Sequence, residues 1–136
     1  MITATLFALA SLAYADEAEA EACLKTKIWE GYNSGWAVRT ATAATLGKGE
    51  HRIYLVTLYA GNEYKLMACG DTAVANVDLV LYDSLGNEIM RDKNRDREPI
   101  LSYRASATDT FYIAVHATEL NGAAVNGGVA TAVTYK

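Results

Sequence analysis

The sequence predicts an all-β fold, a jelly-roll-like β-sandwich of about eight strands with a short N-terminal helix. Between residues 53 and 115, apolar and polar side chains alternate in several short runs, and this period of two is typical of half-buried β-strands. Gly, Asn, Asp and Ser separate the runs, and these residues tolerate the backbone of tight turns. With 136 residues, 51% of them hydrophobic, the chain is long enough to bury one core.

Residues 1–15, MITATLFALASLAYA, contain no charged side chain and end on the small-x-small sequence Ala13-Tyr14-Ala15. An apolar run followed by such a site is the pattern of a secretory signal peptide, although no Lys or Arg precedes it here. The alternative is an apolar helix of the core. The run is too short to span a membrane. We expect cleavage before Asp16, a secreted or periplasmic location, and no membrane insertion of the mature chain.

Residues 16–33 predict a short helix, because Leu24, Ile28 and Tyr32 recur at a spacing of four in a segment rich in Ala, Glu and Lys. Asn33-Ser34-Gly35 ends the helix, so residues 16–35 form the helix and linker, and residues 36–136 form the sandwich domain. Strands are expected at residues 36–46, 51–59, 63–68, 77–82, 88–91, 100–104, 110–116 and 129–135. Both faces of the second strand are apolar, so we expect it to be covered on both sides, one of them by the helix.

The two cysteines, Cys23 and Cys69, predict one disulfide in an exported protein. Two free buried thiols are the alternative. Their distance in sequence is not a metal-binding signature.

Three pieces of the sequence, in the same order and at a similar spacing, resemble the bacterial pre-peptidase C-terminal domain. They are LYAGNEYKLMACG with Gly61 and Tyr64, the hairpin VDLVLYDSLGNEI, and PILSYRASATDTFYIAV with Thr108, Tyr112, Ile113 and Val115. The hairpin matches the family at Asp78, Leu79, Leu81, Tyr82, Asp83, Gly86 and Asn87. The chain departs from the family pattern at Asn76, where the family has Asp, and at Asp109-Thr110-Phe111, where it has Gly before the aromatic pair.

The resemblance implies a jelly-roll sandwich that lies outside the cytoplasm and has no catalytic activity of its own. Members of the family commonly follow secreted hydrolases. Related modules bind insoluble polymers such as collagen, and some of them bind calcium.

Acidic and amide side chains cluster at the strand ends and turns of the central region, and oxygen ligands of this kind suit Ca²⁺. The candidate calcium ligands are Asp71, Asn76, Asp78, Asp83, Asn87 and Asp92. The alternative is that these residues form turns, since Asp and Asn bond to nearby backbone N–H groups.

The charged loop of residues 91–98 supplies candidate partner-binding cations, Arg91, Arg95 and Arg97, which can grip carboxylates. The alternative is a solvated loop whose charges pair among themselves. A second candidate surface is aromatic, and its residues could equally pack in the core: Trp29, Tyr32, Trp36, Tyr54, Tyr59, Tyr82 and Tyr103.

A net charge of −4 argues against binding to nucleic-acid phosphates. His51 and His116 lie in no nucleophile–base arrangement, so we predict no catalytic residues and no enzyme. The expected function is a non-catalytic, exported binding or accessory module whose partner is a polymer, a cell surface or a protein. The alternative is a structural protein that assembles through its sheet edges.

Overall fold

The computed structural model describes residues 16–136, in which one helix and eight strands form a β-sandwich. The predicted signal peptide, residues 1–15, lies outside the described residues. In chain order the elements are α1 (Glu17–Tyr32), β1 (Ala37–Gly47), β2 (His51–Leu58), β3 (Glu63–Gly70), β4 (Val74–Tyr82), β5 (Glu88–Arg91), β6 (Ile100–Arg104), β7 (Asp109–Leu120) and β8 (Asn126–Tyr135).

The strands form two antiparallel sheets of four strands each. The first sheet has the order β1-β8-β3-β6, and the second sheet has the order β2-β7-β4-β5. Chain neighbours such as β1 and β2 therefore lie in different sheets, which is the connectivity of a jelly roll. The predicted fold class is confirmed.

The core lies between the two sheets. Because side chains alternate across a strand, every second residue of each strand faces this layer. Leu66 in the first sheet and Leu79, Leu81 and Ile113 in the second sheet are buried there almost completely. The alternate residues of β4 and β7 consequently point away from the core.

Helix α1 covers the outer face of the first sheet. Its Ala20 and Leu24 pack against Met67, Ala130 and Ala132, and the small alanines of β8 let the helix approach the sheet closely. The Cys23–Cys69 disulfide joins the helix to β3, so the predicted pairing is confirmed. No helix within residues 16–136 has both the length and the hydrophobicity required to cross a membrane.

Two strands, β4 and β8, begin three residues earlier than the sequence pattern predicts. Strand β4 begins at Val74, and the register shifts that follow Val74 and Asn76 interrupt the alternation on which the prediction rested. Strand β8 includes Gly127 and Gly128, which resemble turn residues in the sequence. A Cβ atom on Gly128 would lie 2.6 Å from the carbonyl oxygen of Asp16, so glycine here permits a close backbone approach.

The expectation that β2 is covered on both sides is wrong. The helix packs on the first sheet, whereas β2 is an edge strand of the second sheet. Ile53 and Leu55 on its outer side are 50% and 64% exposed. Alternation identifies residues that share a face, but it does not reveal whether another element covers that face.

Candidate functional site

No helix packs on the outer surface of the second sheet in the described part of the chain, and we call this surface the open face. It consists of the residues of β2, β7, β4 and β5 that alternate with the core residues: His51, Ile53, Leu55, Tyr112, Ala114, His116, Asp78, Val80, Tyr82, Glu88 and Arg91. Cross-strand register arranges them in rows. The face is therefore built by four strands whose other sides are fixed in the core.

The central rows of the open face are apolar and aromatic. Leu55 pairs with Tyr112, which in turn pairs with Tyr82 on β4, and both tyrosines are half-buried. In the next row, Ile53 lies opposite Ala114, which lies opposite Val80. Ala114 and Val80 are buried almost completely, so the exposed apolar area of the face is concentrated on Ile53 and Leu55 of β2. An exposed apolar group beside tyrosines whose backbone is held in a sheet is a surface suited to binding.

A row of ionisable side chains borders the apolar rows. His51 lies opposite His116, and His116 lies opposite Asp78. Burial lowers the pKa of His116, and the nearby His51 lowers it further, while Asp78 acts in the opposite direction. His116 is therefore held toward its neutral form. Asp78 accepts a hydrogen bond of 3.1 Å from the side-chain amide of Asn76.

The other charged border of the open face is an ion pair on β5. The guanidinium of Arg91 donates to Glu88 through Nη2 at 2.6 Å and through Nε at 3.1 Å. Both residues are exposed, so this pair fixes the orientation of Arg91 more than it stabilises the fold.

The three arginines proposed as partner-binding cations do not form one cluster of free cations. Arg91 pairs with Glu88, and Arg95 pairs with Glu119 on β7. Arg97 donates from Nη1 to the backbone carbonyl of Asp71 at 3.1 Å. Each guanidinium thus has a partner within the chain, and a role in binding other molecules stays a prediction.

The candidate calcium ligands are distributed over several local structures. Asp71 accepts only backbone N–H groups, and Asp83 accepts the N–H groups of Leu85 and Asn87 inside the β4–β5 turn. The N–H of Asn87 is the main reason why the pKa of Asp83 is lowered. Within residues 16–136, no three of these carboxylates have oxygen atoms within 4.8 Å of one another.

Asp92 differs from the other acidic residues. It is 8% exposed, and its Oδ2 atom has no hydrogen-bond partner among the described residues. Burial raises the pKa of Asp92, and the negative charges of Asp96 and Asp78 raise it further. Calcium binding at these residues stays a prediction.

The predicted aromatic residues do not form one platform. Trp29 and Tyr32 are exposed on α1, where their rings meet edge to face at 5.6 Å. Tyr54 and Tyr103 pack against the core instead. The remaining three lie apart: Trp36 stacks under Lys65 at 4.3 Å, Tyr59 is exposed near Arg39, and Tyr82 belongs to the open face.

Sequence reasoning missed the pairing of His51 with His116 and the open face itself. The two histidines lie on strands that are distant in sequence, and only the register of β2 and β7 brings them together. The alternation of apolar residues in β2 was the available signal for the exposed apolar rows. From these residues alone, the sequence predicts that both faces of β2 are covered.

No family model matches the sequence, and no curated protein matches it. Among solved structures, the pre-peptidase C-terminal domain of collagenase from Bacillus anthracis aligns with a TM-score of 0.55 at 14% identity, over 71% of this chain and 89% of that chain. PliG from Aeromonas hydrophila, a periplasmic lysozyme inhibitor of g-type lysozyme, also aligns with a TM-score of 0.55 at 14% identity, over 76% of this chain and 90% of that chain. The chain thus has the fold of the pre-peptidase C-terminal domain, as its sequence motifs predicted.

Proposed function

We propose that this chain is an exported, non-catalytic module that binds a protein partner through its open face. The observation that carries the proposal is the asymmetry of the sandwich. Helix α1 covers one outer face, while the other outer face exposes Ile53 and Leu55. A partner that buries these side chains gains the free energy of removing apolar area from water.

The composition of the open face supports a protein rather than a small ligand. The histidine row borders its apolar and tyrosine rows at one end of the strands, and the Arg91–Glu88 pair borders the same rows at the β5 edge. An apolar centre with a charged rim is the usual anatomy of a protein interface. Because the backbone of the face is fixed by hydrogen bonds between strands, binding costs little ordering entropy.

Export is supported by the pattern of residues 1–15, by the disulfide, and by the periplasmic location of PliG. The absence of catalysis is supported by the two relatives in fold, one a terminal domain of a collagenase and the other an inhibitor.

A second candidate is inhibition of a g-type lysozyme. The structural alignment with PliG covers 90% of that protein and 76% of this chain. In this case the partner would be an enzyme of the cell envelope or its surroundings, and binding would be read out as lost lysozyme activity.

The test is a binding titration of residues 16–136 against two defined probes, a purified g-type lysozyme and insoluble collagen. Leu55→Glu places a charge in the centre of the open face. Leu85→Glu is the matched control, because Leu85 is 85% exposed in the β4–β5 turn. We expect binding of the lysozyme to weaken at least tenfold in Leu55→Glu and to be retained in Leu85→Glu.

Three results would change the assignment. Equal weakening by both variants would move the interface to the turns. Binding to collagen alone would replace the protein partner with a polymer. Elution of the protein as large assemblies, independent of either probe, would favour assembly through sheet edges.

Calcium binding is proposed separately, with Asp78 and Asp92 as the ligands to test first. A thermal melt in EDTA and then in millimolar Ca²⁺ measures it, because a ligand at 100 times its Kd stabilises a fold by about 2.7 kcal/mol. A rise in melting temperature that is lost in Asp92→Asn supports the site. An unchanged melting temperature would overturn the calcium proposal.

A further inference from the structure

The carboxylate of Asp71, which directly follows β3, is buried, and only 1% of the residue is exposed. Its Oδ1 atom accepts the N–H of Ala73 at 2.9 Å. Its Oδ2 atom accepts the N–H of Gly128 at 2.9 Å and the N–H of Asp16 at 2.7 Å. All of these donors are backbone groups.

No side-chain cation pairs with this carboxylate among residues 16–136. The ion pairs of the described chain involve Lys27, Arg91, Arg95 and Arg104, and their partners are glutamates. Arg97 comes close, but it donates to the backbone carbonyl of Asp71. Backbone N–H donors satisfy this buried carboxylate, and a nearby positive charge would strengthen its hydrogen bonds, so the site suits a cation.

The nitrogen of Asp16 lies where such a charge would act, and residue 16 is also where the signal-peptide pattern predicts the mature chain to begin. Hydrolysis of the peptide bond after Ala15 would add water, leave a carboxylate on Ala15, and convert the amide nitrogen of Asp16 into a protonated amine. We propose that this processing creates an ion pair between the α-ammonium of Asp16 and the buried carboxylate of Asp71. The inference rests on the export proposed above.

The surroundings of Asp16 are shaped to hold the residue in this position. Gly128 leaves room for its backbone, since a Cβ atom there would lie 2.6 Å from the carbonyl oxygen of Asp16 and 2.8 Å from the nitrogen of Glu17. The side chain of Asp16 accepts the N–H of Glu19 at 2.8 Å as the cap of α1. The side chain of Glu19 in turn accepts the N–H of Thr72 at 2.7 Å. Glu19 therefore links the first turn of α1 to the turn after β3.

The charges near Asp16 suit an added cation. A positive charge at a helix N-terminus is opposed by the helix dipole. Here the carboxylates of Asp16, Glu17 and Glu19 lie in the cap and first turn, and Asp71 contacts the nitrogen itself. An ammonium also brings three N–H donors where a peptide nitrogen brings one. The processed chain should therefore hold α1 on the first sheet more firmly than a chain with residues before Asp16.

The test compares two forms of residues 16–136, which contain the helix and all eight strands. One form has a free Asp16 amine, produced from a fusion whose protease leaves no extra residue. The other is acetylated at Asp16, which keeps the N–H but removes the charge. We expect the free form to melt on the order of 5 °C higher at pH 7.

Two substitutions locate the effect. Asp71→Asn should abolish the difference between the free and acetylated forms, whereas Asp109→Asn, on an exposed residue, should leave it unchanged. If Asp71→Asn does not fold, hydrogen exchange of the Gly128 amide replaces it, and we expect slower exchange in the free form. Equal melting of the free and acetylated forms, a difference that survives Asp71→Asn, or equal Gly128 exchange would overturn the proposal.

The failure of the ion pair and the failure of export are distinguishable. Expression of the full chain with its own residues 1–15, followed by mass measurement of the exported protein, reports the first residue directly. Export with cleavage at a different bond, or no export, would overturn the processing step whatever the melts show. Cleavage before Asp16 with equal melts would retain export and overturn the ion pair.

Discussion

His51 and His116 face each other across β2 and β7, with their ring centroids 5.1 Å apart and their planes tilted by 31°. The two rings lie at one end of the open face, beside Asp78. A positive charge on His51 disfavours protonation of the His116 ring. The charge of the open face therefore depends on pH in the range in which histidines titrate.

His116 should titrate below its usual value of 6.5. Burial lowers its pKa, and repulsion from His51 adds to this effect. We expect His51→Gln to raise the pKa of His116 and Asp78→Asn to lower it further, both measured by NMR titration of the ring protons. Because the folded-state pKa is lowered, stability from neutral His116 is present above pH 6.5 and is lost as pH falls through the folded value. Titration of His116 at or above 6.5 would contradict this account.

Replacing Asp92 by Asn should stabilise the protein at pH 7 by about 1 kcal/mol, because it removes a buried negative charge that Asp96 and Asp78 repel. Burial raises the pKa of Asp92 in the folded state. The contribution of protonated Asp92 to the free energy of unfolding is therefore present below pH 3.8 and is lost as the pH rises through the folded-state pKa. Urea unfolding of both proteins at pH 7 and at pH 3 measures the effect. The gain should vanish at pH 3, and a loss of stability at pH 7 in EDTA would refute the prediction.

Removing the disulfide should destabilise the fold by about 4 kcal/mol, the chain-entropy value for a loop closed by residues 46 apart. The double variant Cys23→Ala/Cys69→Ala tests this by urea unfolding. Reduced wild-type protein is the control, since it keeps the sulfur atoms in the core beneath α1. If the oxidised and reduced forms unfold at the same urea concentration, the bond does not stabilise α1 on the sheet.

Gly128→Ala should cost about 2 kcal/mol, because the added methyl group meets the backbone of Asp16 and Glu17. The backbone of Gly128 is not in the left-handed region, so strain from its dihedral angles does not contribute. Thermal melts followed by helical circular dichroism measure the change. A neutral or stabilising effect, as a Gly→Ala change gives at an uncrowded site, would show that α1 is seated differently.

The two-layer fold was predictable because most strands keep a strict alternation bounded by turn residues. The predicted bounds of β5 and β6 coincide with the observed ones. The early starts of β4 and β8 were not predictable, since a bulge near Asn76 breaks the period and Gly127 and Gly128 have no side chain that carries it. A Cβ atom on Gly127 would collide with the side chain of Val74, and a Cβ atom on Gly128 would collide with the backbone of Asp16, so both positions require glycine.

The candidate site was less predictable than the fold. Alternation placed Ile53 and Leu55 on one face of β2, but only the position of α1 determines which outer face is covered. The pairing of His51 with His116 depends on strand register, which single-sequence patterns do not fix across distant strands. Asp71 is an acidic turn residue in the sequence, and its contact with Asp16 is visible only in the structure.

The central claim is that a protein partner docks on the open face, and NMR mapping of isotope-labelled residues 16–136 against the probe that binds in the titration tests it most directly. The account predicts that the largest changes in amide signals fall on β2, β7 and β4, around Leu55, Tyr112 and Tyr82. Changes confined to α1 and the first sheet, or to the turn at residues 83–87, would contradict it.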